Sequence, residues 1–134
     1  MTQRIAFTLP LLLPLPNRRR GTHWAVLSKE RKRLATEIWA ALGTQQPAQP
    51  LARARVTIWR HSVQEPDTDN LYASCKGVLD ALQPATERRT YGLGVITDDR
   101  PSLCDLRAKW VKAAHRTDQR TVVEVVEWLD AVTA

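Results

Sequence analysis

Four carboxylates and one carboxamide fall in two short stretches, Pro66-Asp67-Thr68-Asp69-Asn70-Leu71 and Thr97-Asp98-Asp99. Carboxylate oxygens are the preferred ligands of hard divalent cations such as Mg²⁺ and Mn²⁺. Two Asp at i and i+2, placed where a strand gives way to a helix, can converge on one ion. A third carboxylate from a distant segment completes a site with positions left open for water and phosphate. Such a site can activate a water and stabilise the leaving oxygen in phosphodiester hydrolysis, with a nearby Lys offsetting charge on the phosphate. The surroundings are basic: 20 Lys+Arg stand against 14 Asp+Glu, a net charge of +6. Acidic clusters in a basic chain suggest a divalent metal held against a polyanion.

Three plainer readings stand beside this one. The first stretch superficially resembles a calcium loop, but its fifth and sixth positions are Leu71 and Tyr72, where an oxygen ligand and Gly are required. Asp and Asn are common helix caps, and Asp98-Asp99 is an ordinary turn dipeptide. Spacing alone leaves ligand and cap both open.

The elements that must position these residues follow from local pattern. At 134 residues the chain has single-domain length, and a 43% hydrophobic share supports one modest core. Arg4 to Leu9 reads as a first strand, ended by Pro10 and followed by an extended proline-rich segment to Pro16. Asn17 to His23 is a basic loop whose Arg18, Arg19 and Arg20 suit phosphate contact. Ser28 is the expected cap of an amphipathic helix carrying Leu34, Ala35, Ile38, Trp39 and Leu42, with Gly43 as its stop. Thr44 to Pro50 is a linker loop. Ala52 to His61 alternates as a half-buried strand. A second helix, capped by Asp69 or Asn70, runs through Leu71, Val78, Leu79 and Leu82 to Pro84.

Gln83 to Leu93 is an irregular loop with Arg88 and Arg89. Leu103 to Lys112 alternates again, with Arg107 and Lys109 on the face away from Cys104 and Leu106. Thr121 to Trp128 is the last strand, its valines outweighing a helical alternative. The expected fold is a single α+β domain over 1–134, in β-α-β-α-β-β order, with one mixed sheet and two main helices. Cys75 and Cys104 form no CxxC pair, which argues against zinc or a disulfide scaffold and for a reducing cytoplasm. The apolar N-terminal run is too short and proline-broken for a membrane span.

The order of motifs resembles the RusA-type Holliday junction resolvases, small dimeric endonucleases often carried by phages. That family has an N-terminal strand ending in a proline-rich segment with Asn, then a helix, a strand, D-x-D-N-L, a Lys, D-A-L, and a hydrophobic-x-D-D motif. The matching residues are Leu9-Pro10 through Pro16-Asn17, Asp67-Thr68-Asp69-Asn70-Leu71, Lys76, Asp80-Ala81-Leu82 and Ile96-Thr97-Asp98-Asp99. The resemblance spans about Ile5 to Trp128, nearly the whole chain. It implies Asp67, Asp69 and Asp99 as catalytic metal ligands for Mg²⁺, with Mn²⁺ as substitute, and Lys76 as the catalytic lysine. Lys76 stands seven residues after Asp69 rather than the family's usual four. On a continuous helix both steps return to the starting face, at about 4.5 Å of extra rise. The loop from Leu82 to Asp98 is longer than usual for the family, and the arginine-rich lead-in is reduced to Arg60-His61 with Glu65 added, a further candidate ligand.

The implied activity is resolution of four-way DNA junctions in recombination and repair, by a cytoplasmic homodimer whose two-fold axis pairs the cuts. Arg18, Arg19, Arg20, Lys76, Arg107 and Lys109 would contact DNA. The alternatives are cleavage of flaps or other branched DNA, and a non-catalytic basic DNA-binding protein whose Asp residues only cap.

Overall fold

A computed structural model describes residues 2–16 and 23–128. Arg18, Arg19 and Arg20 lie outside the described residues. The elements are β1 (Arg4–Leu9), α1 (Trp24–Leu42), β2 (Ala54–Ser62), α2 (Thr68–Ser74), α3 (Lys76–Leu82), β3 (Cys104–Lys112) and β4 (Arg120–Glu127), with short 3-10 turns at Gly43–Gln45 and Arg116–Asp118. Four strands form one mixed sheet in the order β1-β4-β2-β3. β4 runs antiparallel to both β1 and β2, while β2 and β3 are parallel, Ala54 pairing with Cys104 and Ser62 with Lys112. The parallel pair requires a long crossover, and α2, α3 and the loop to residue 103 supply it.

Period-two alternation sends Ile5, Phe7, Leu9, Ala54, Val56, Ile58, Val123 and Val125 to one sheet face, where all are buried. Ala35, Ile38 and Leu42 of α1 and Val78, Leu79 and Leu82 of α3 join them in one core. α1 packs against β1 and α3. Among the described residues the opposite sheet face carries Arg4, Arg55, Glu124, Arg107 and Lys109 and bears ion pairs: Arg4 Nε meets Glu124 at 2.7 Å and Arg55 Nε meets Asp105 at 2.8 Å. The proline-rich segment lies anchored at the strand ends. Leu13 is buried, its carbonyl accepting from Arg60 Nη1 at 2.6 Å, and the Leu11 carbonyl accepts from Thr121 Oγ1 at 2.8 Å.

Three local expectations change. α1 starts four residues before Ser28, because His23 Nδ1 accepts from the Ala25 N–H at 3.1 Å and caps the helix. The cap of α2 is Asp67, not Asp69 or Asn70. The second helix is two, broken at Cys75. Ser74 Oγ at 2.6 Å and Cys75 Sγ at 3.5 Å both donate to the Leu71 carbonyl, while the Cys75 N–H turns to the Tyr72 carbonyl at 3.1 Å. Side-chain competition for a helical carbonyl thus tightens the turn. No described helix is long and apolar enough to cross a membrane.

Candidate active site

Asp67 ends the extended chain after β2 and opens α2. Its Oδ1 accepts from the Asn70 N–H at 2.8 Å and its Oδ2 from Asn70 Nδ2 at 2.9 Å. One carboxylate thereby satisfies a free helix N–H and clamps the turn. Asp69 sits in the exposed first turn, a position the helix dipole favours for an anion, and bonds no other described residue. Upstream, exposed Glu65 borders a polar cleft of about 500 Å³ that Arg60, Gln64, Arg116 and Gln119 also line.

The second half is built by the crossover loop. Its backbone is stitched to the end of α3: Leu93 N–H donates to the Ala81 carbonyl at 2.8 Å, and Val95 N–H to the Leu82 carbonyl at 2.7 Å. Leu51 N–H donates to the Val95 carbonyl at 2.8 Å, tying the loop to the lead-in of β2. Gly92 permits this approach, since a Cβ there would lie 2.5 Å from the Gln83 carbonyl oxygen. Val95 and Ile96 are fully buried, and Asp98-Asp99 follows them at the surface. Asp98 is spent on the turn, accepting from the Asp99 N–H at 2.7 Å and from Arg100 Nε at 2.6 Å. The Arg100 bond, then the Asp99 N–H, hold its carboxyl below the usual carboxylate range.

Lys76, the first residue of α3, reaches across to this loop. Its Nζ lies 2.7 Å from Asp99 Oδ2 and 3.1 Å from Asp80 Oδ1. The bond to Asp99 does most to raise the Lys76 pKa, burial opposes it, and Asp80 adds to it, so the ammonium stays charged at neutral pH. Asp80 also takes Arg31 Nη1 of α1 at 3.1 Å on its Oδ2, and Arg89 Nη1 approaches its Oδ1 at 3.9 Å. Asp80 and Arg31 are the members that sequence reasoning did not assign. Lys76 and Asp80 stand four residues apart on α3, whereas Arg31 comes from α1, 49 residues away from Asp80.

The structure therefore brings Lys76 to Asp99. It does not gather Asp67, Asp69 and Asp99 into one cluster: among the described residues no three His, Cys, Asp or Glu side chains stand together as a metal-holding group. The donor chemistry of these three Asp fits Mg²⁺ or Mn²⁺, being all hard oxygen. Arg107 and Lys109 stand on the sheet face opposite the core, paired with Thr57 and Trp59, with Arg107 Nε 3.2 Å from Asp105. Arg88 is exposed on the loop. Burial pushes the Cys75 and Cys104 thiols up to about 11, so both stay protonated at neutral pH. No family model and no curated protein matches the chain.

Proposed function

We propose that the chain is a metal-dependent, structure-specific DNA endonuclease of the RusA type that resolves four-way junctions, acting as a cytoplasmic homodimer in recombination and repair. The observation that carries this reading is the 2.7 Å contact between Lys76 Nζ and Asp99 Oδ2, which joins α3, the helix that follows the D-x-D-N turn, to the Asp98-Asp99 pair at the far end of the same crossover. When bound, Mg²⁺, or Mn²⁺ in its place, would draw on the carboxylates of Asp67, Asp69 and Asp99, which do not stand as one cluster in this structure, and would supply an activated water and charge neutralisation at the phosphate.

The side chains perform the rest. An ammonium has three N–H donors. Asp80 and Asp99 engage Lys76, and its side chain remains 56% exposed, so a donor is left for a phosphate oxygen. Asn70 fixes the Asp67 carboxylate, and Asp69 projects into solvent where a strand can approach. Arg18, Arg19, Arg20, Arg107 and Lys109 would add backbone contacts that position DNA without reading sequence.

A synthetic four-way junction incubated with Mg²⁺ or Mn²⁺ tests the reading. Paired nicks are expected, lost in Asp69→Asn while junction binding persists. No cutting with either metal over a range of salt would refute it. Cutting of flaps in preference to junctions would keep the chemistry and change the substrate. The capping role of Asp67 favours one other reading, a non-catalytic DNA-binding protein, which predicts binding with no cleavage of any branched DNA.

A further inference from the structure

Asp80 is largely buried, at 17% side-chain exposure, yet three cations from three elements point at it: Arg31 of α1 at 3.1 Å, Lys76 of α3 at 3.1 Å and Arg89 of the crossover loop at 3.9 Å. With Asp99, two carboxylates face three cations, a local excess of one positive charge. The 3.9 Å from Arg89 Nη1 to Asp80 exceeds a hydrogen bond and the Arg89 side chain is 25% exposed, so its terminal N–H groups are not committed to this carboxylate, while its Nε is buried with no acceptor. Tyr91, half-buried, lies within range of Asp80 and the three cations, and its phenol stays protonated at neutral pH: burial raises its pKa first, then Asp80, against the three cations.

The packing makes room for this arrangement. A Cβ on Gly77 would stand 3.0 Å from Arg31 Nη1 and 3.1 Å from Leu34 Cδ2. Glycine at 77 lets the Arg31 side chain cross from α1 over α3 to Asp80. A guanidinium that only decorated a solvated helix face would need no such passage.

We propose that Arg31 and Arg89, aligned beside Lys76 by Asp80, form a subsite for a phosphate of the DNA backbone alongside Asp99. This rests on the endonuclease reading and deepens it: Asp80 is a positioning residue, and the two arginines bind a phosphodiester next to the one that Lys76 contacts. Planar guanidinium forks suit phosphate oxygens, and clustered half-buried cations are screened less by salt than isolated surface ones.

The test is fluorescence anisotropy of a labelled four-way junction in EDTA, over a series of salt concentrations, with the whole 134-residue chain. The variants are Arg31→Gln, Arg89→Gln and, as a cation of the same helix outside the cluster, Lys32→Gln. Each arginine variant should bind roughly tenfold more weakly near 0.1 M salt and lower the logarithmic salt slope by about 0.9, the loss of one phosphate contact. Lys32→Gln should change neither. Cooperative thermal unfolding establishes that each variant is folded. If Arg31→Gln is not folded, the loop variant Arg89→Gln decides alone. Unchanged slope and affinity in folded Arg89→Gln, or an equal loss in Lys32→Gln, overturns the subsite. If junction cutting persists in that case, the endonuclease stands without it. If the arginine variants lose affinity while the wild type cuts nothing with Mg²⁺ or Mn²⁺, the subsite stands and the endonuclease falls.

Discussion

Asp67 and Asp99 are held by different physics. Asp67 is fixed from three residues away, by the backbone and side chain of Asn70, and would be fixed that way in any protein that starts a helix with this sequence. Asp99 is fixed from twenty-three residues away by Lys76, which in turn depends on Asp80 and its neighbours Arg31 and Arg89. One half of the candidate site is a local motif. The other is a tertiary hub that exists only when α1, α3 and the crossover loop are docked. The difference suggests a division of labour: the local half presents an exposed carboxylate, Asp69, at little structural cost, and the hub supplies the oriented cations.

Removing Lys76 should separate chemistry from stability most sharply. Lys76→Met is expected to lower junction cutting by about 10²–10³-fold, the scale of one lost electrostatic donor at a reacting centre. Because the ammonium is more than half exposed, unfolding free energy should move by under about 1 kcal/mol. A variant that cuts normally would strip Lys76 of its role and leave the hub as architecture.

The hub should cost more to break than the cap. Asp80→Ala leaves Arg31 and Lys76 facing each other without their carboxylate and is expected to destabilise by about 1–3 kcal/mol in urea unfolding. Asp67→Ala removes one N-cap and is expected to cost about 1 kcal/mol. The reverse order would mean that the local half, not the docked one, holds the crossover in place.

Alkaline titration should distinguish the halves by a smaller effect. The Lys76 pKa is raised in the folded chain, so its contribution is complete below the ordinary value of 10.5 and disappears as pH rises through the higher folded value. Stability of the wild type should therefore fall more steeply than that of Lys76→Met above pH 10.5, measured by denaturant midpoints. Acid should act elsewhere. Burial, then Arg120, lowers the pKa of His61 at the end of β2, so stability should decline as pH drops below 6.5 toward the lower folded value, and His61→Gln should flatten that decline.

Legibility in the sequence followed the range of each interaction. The four strands were readable because alternation in Ile5-Ala6-Phe7-Thr8-Leu9 and Val122-Val123-Glu124-Val125 is itself the cause of their burial. The start of α1 was misplaced because a histidine cap followed by Trp24-Ala25-Val26-Leu27 lacks the usual oxygen cap signal, and Trp24 is 72% exposed. The break at Cys75 was hidden because it arises from two side chains competing for one carbonyl, which hydrophobic spacing does not record. That break also frees Lys76 from the phase of α2. Its approach to Asp99 does not depend on a continuous helix from Asp69, since Lys76 begins a helix of its own.

The order of the strands and main helical segments and the buried face of each strand are written locally in the chain, because they depend on side-chain periodicity, whereas the choice of Asp67 over Asp69 or Asn70 as the cap of α2 was visible only in the folded chain. Only the tertiary structure decided that Lys76 meets Asp99, that Asp80 gathers Arg31 and Arg89, and that Arg107 and Lys109 stand on another face. Those contacts join segments separated by 23 and 49 residues. Their partners are chosen by how α1 and α3 pack and by where the buried Val95-Ile96 pins the loop, neither of which is written in any local stretch of the chain.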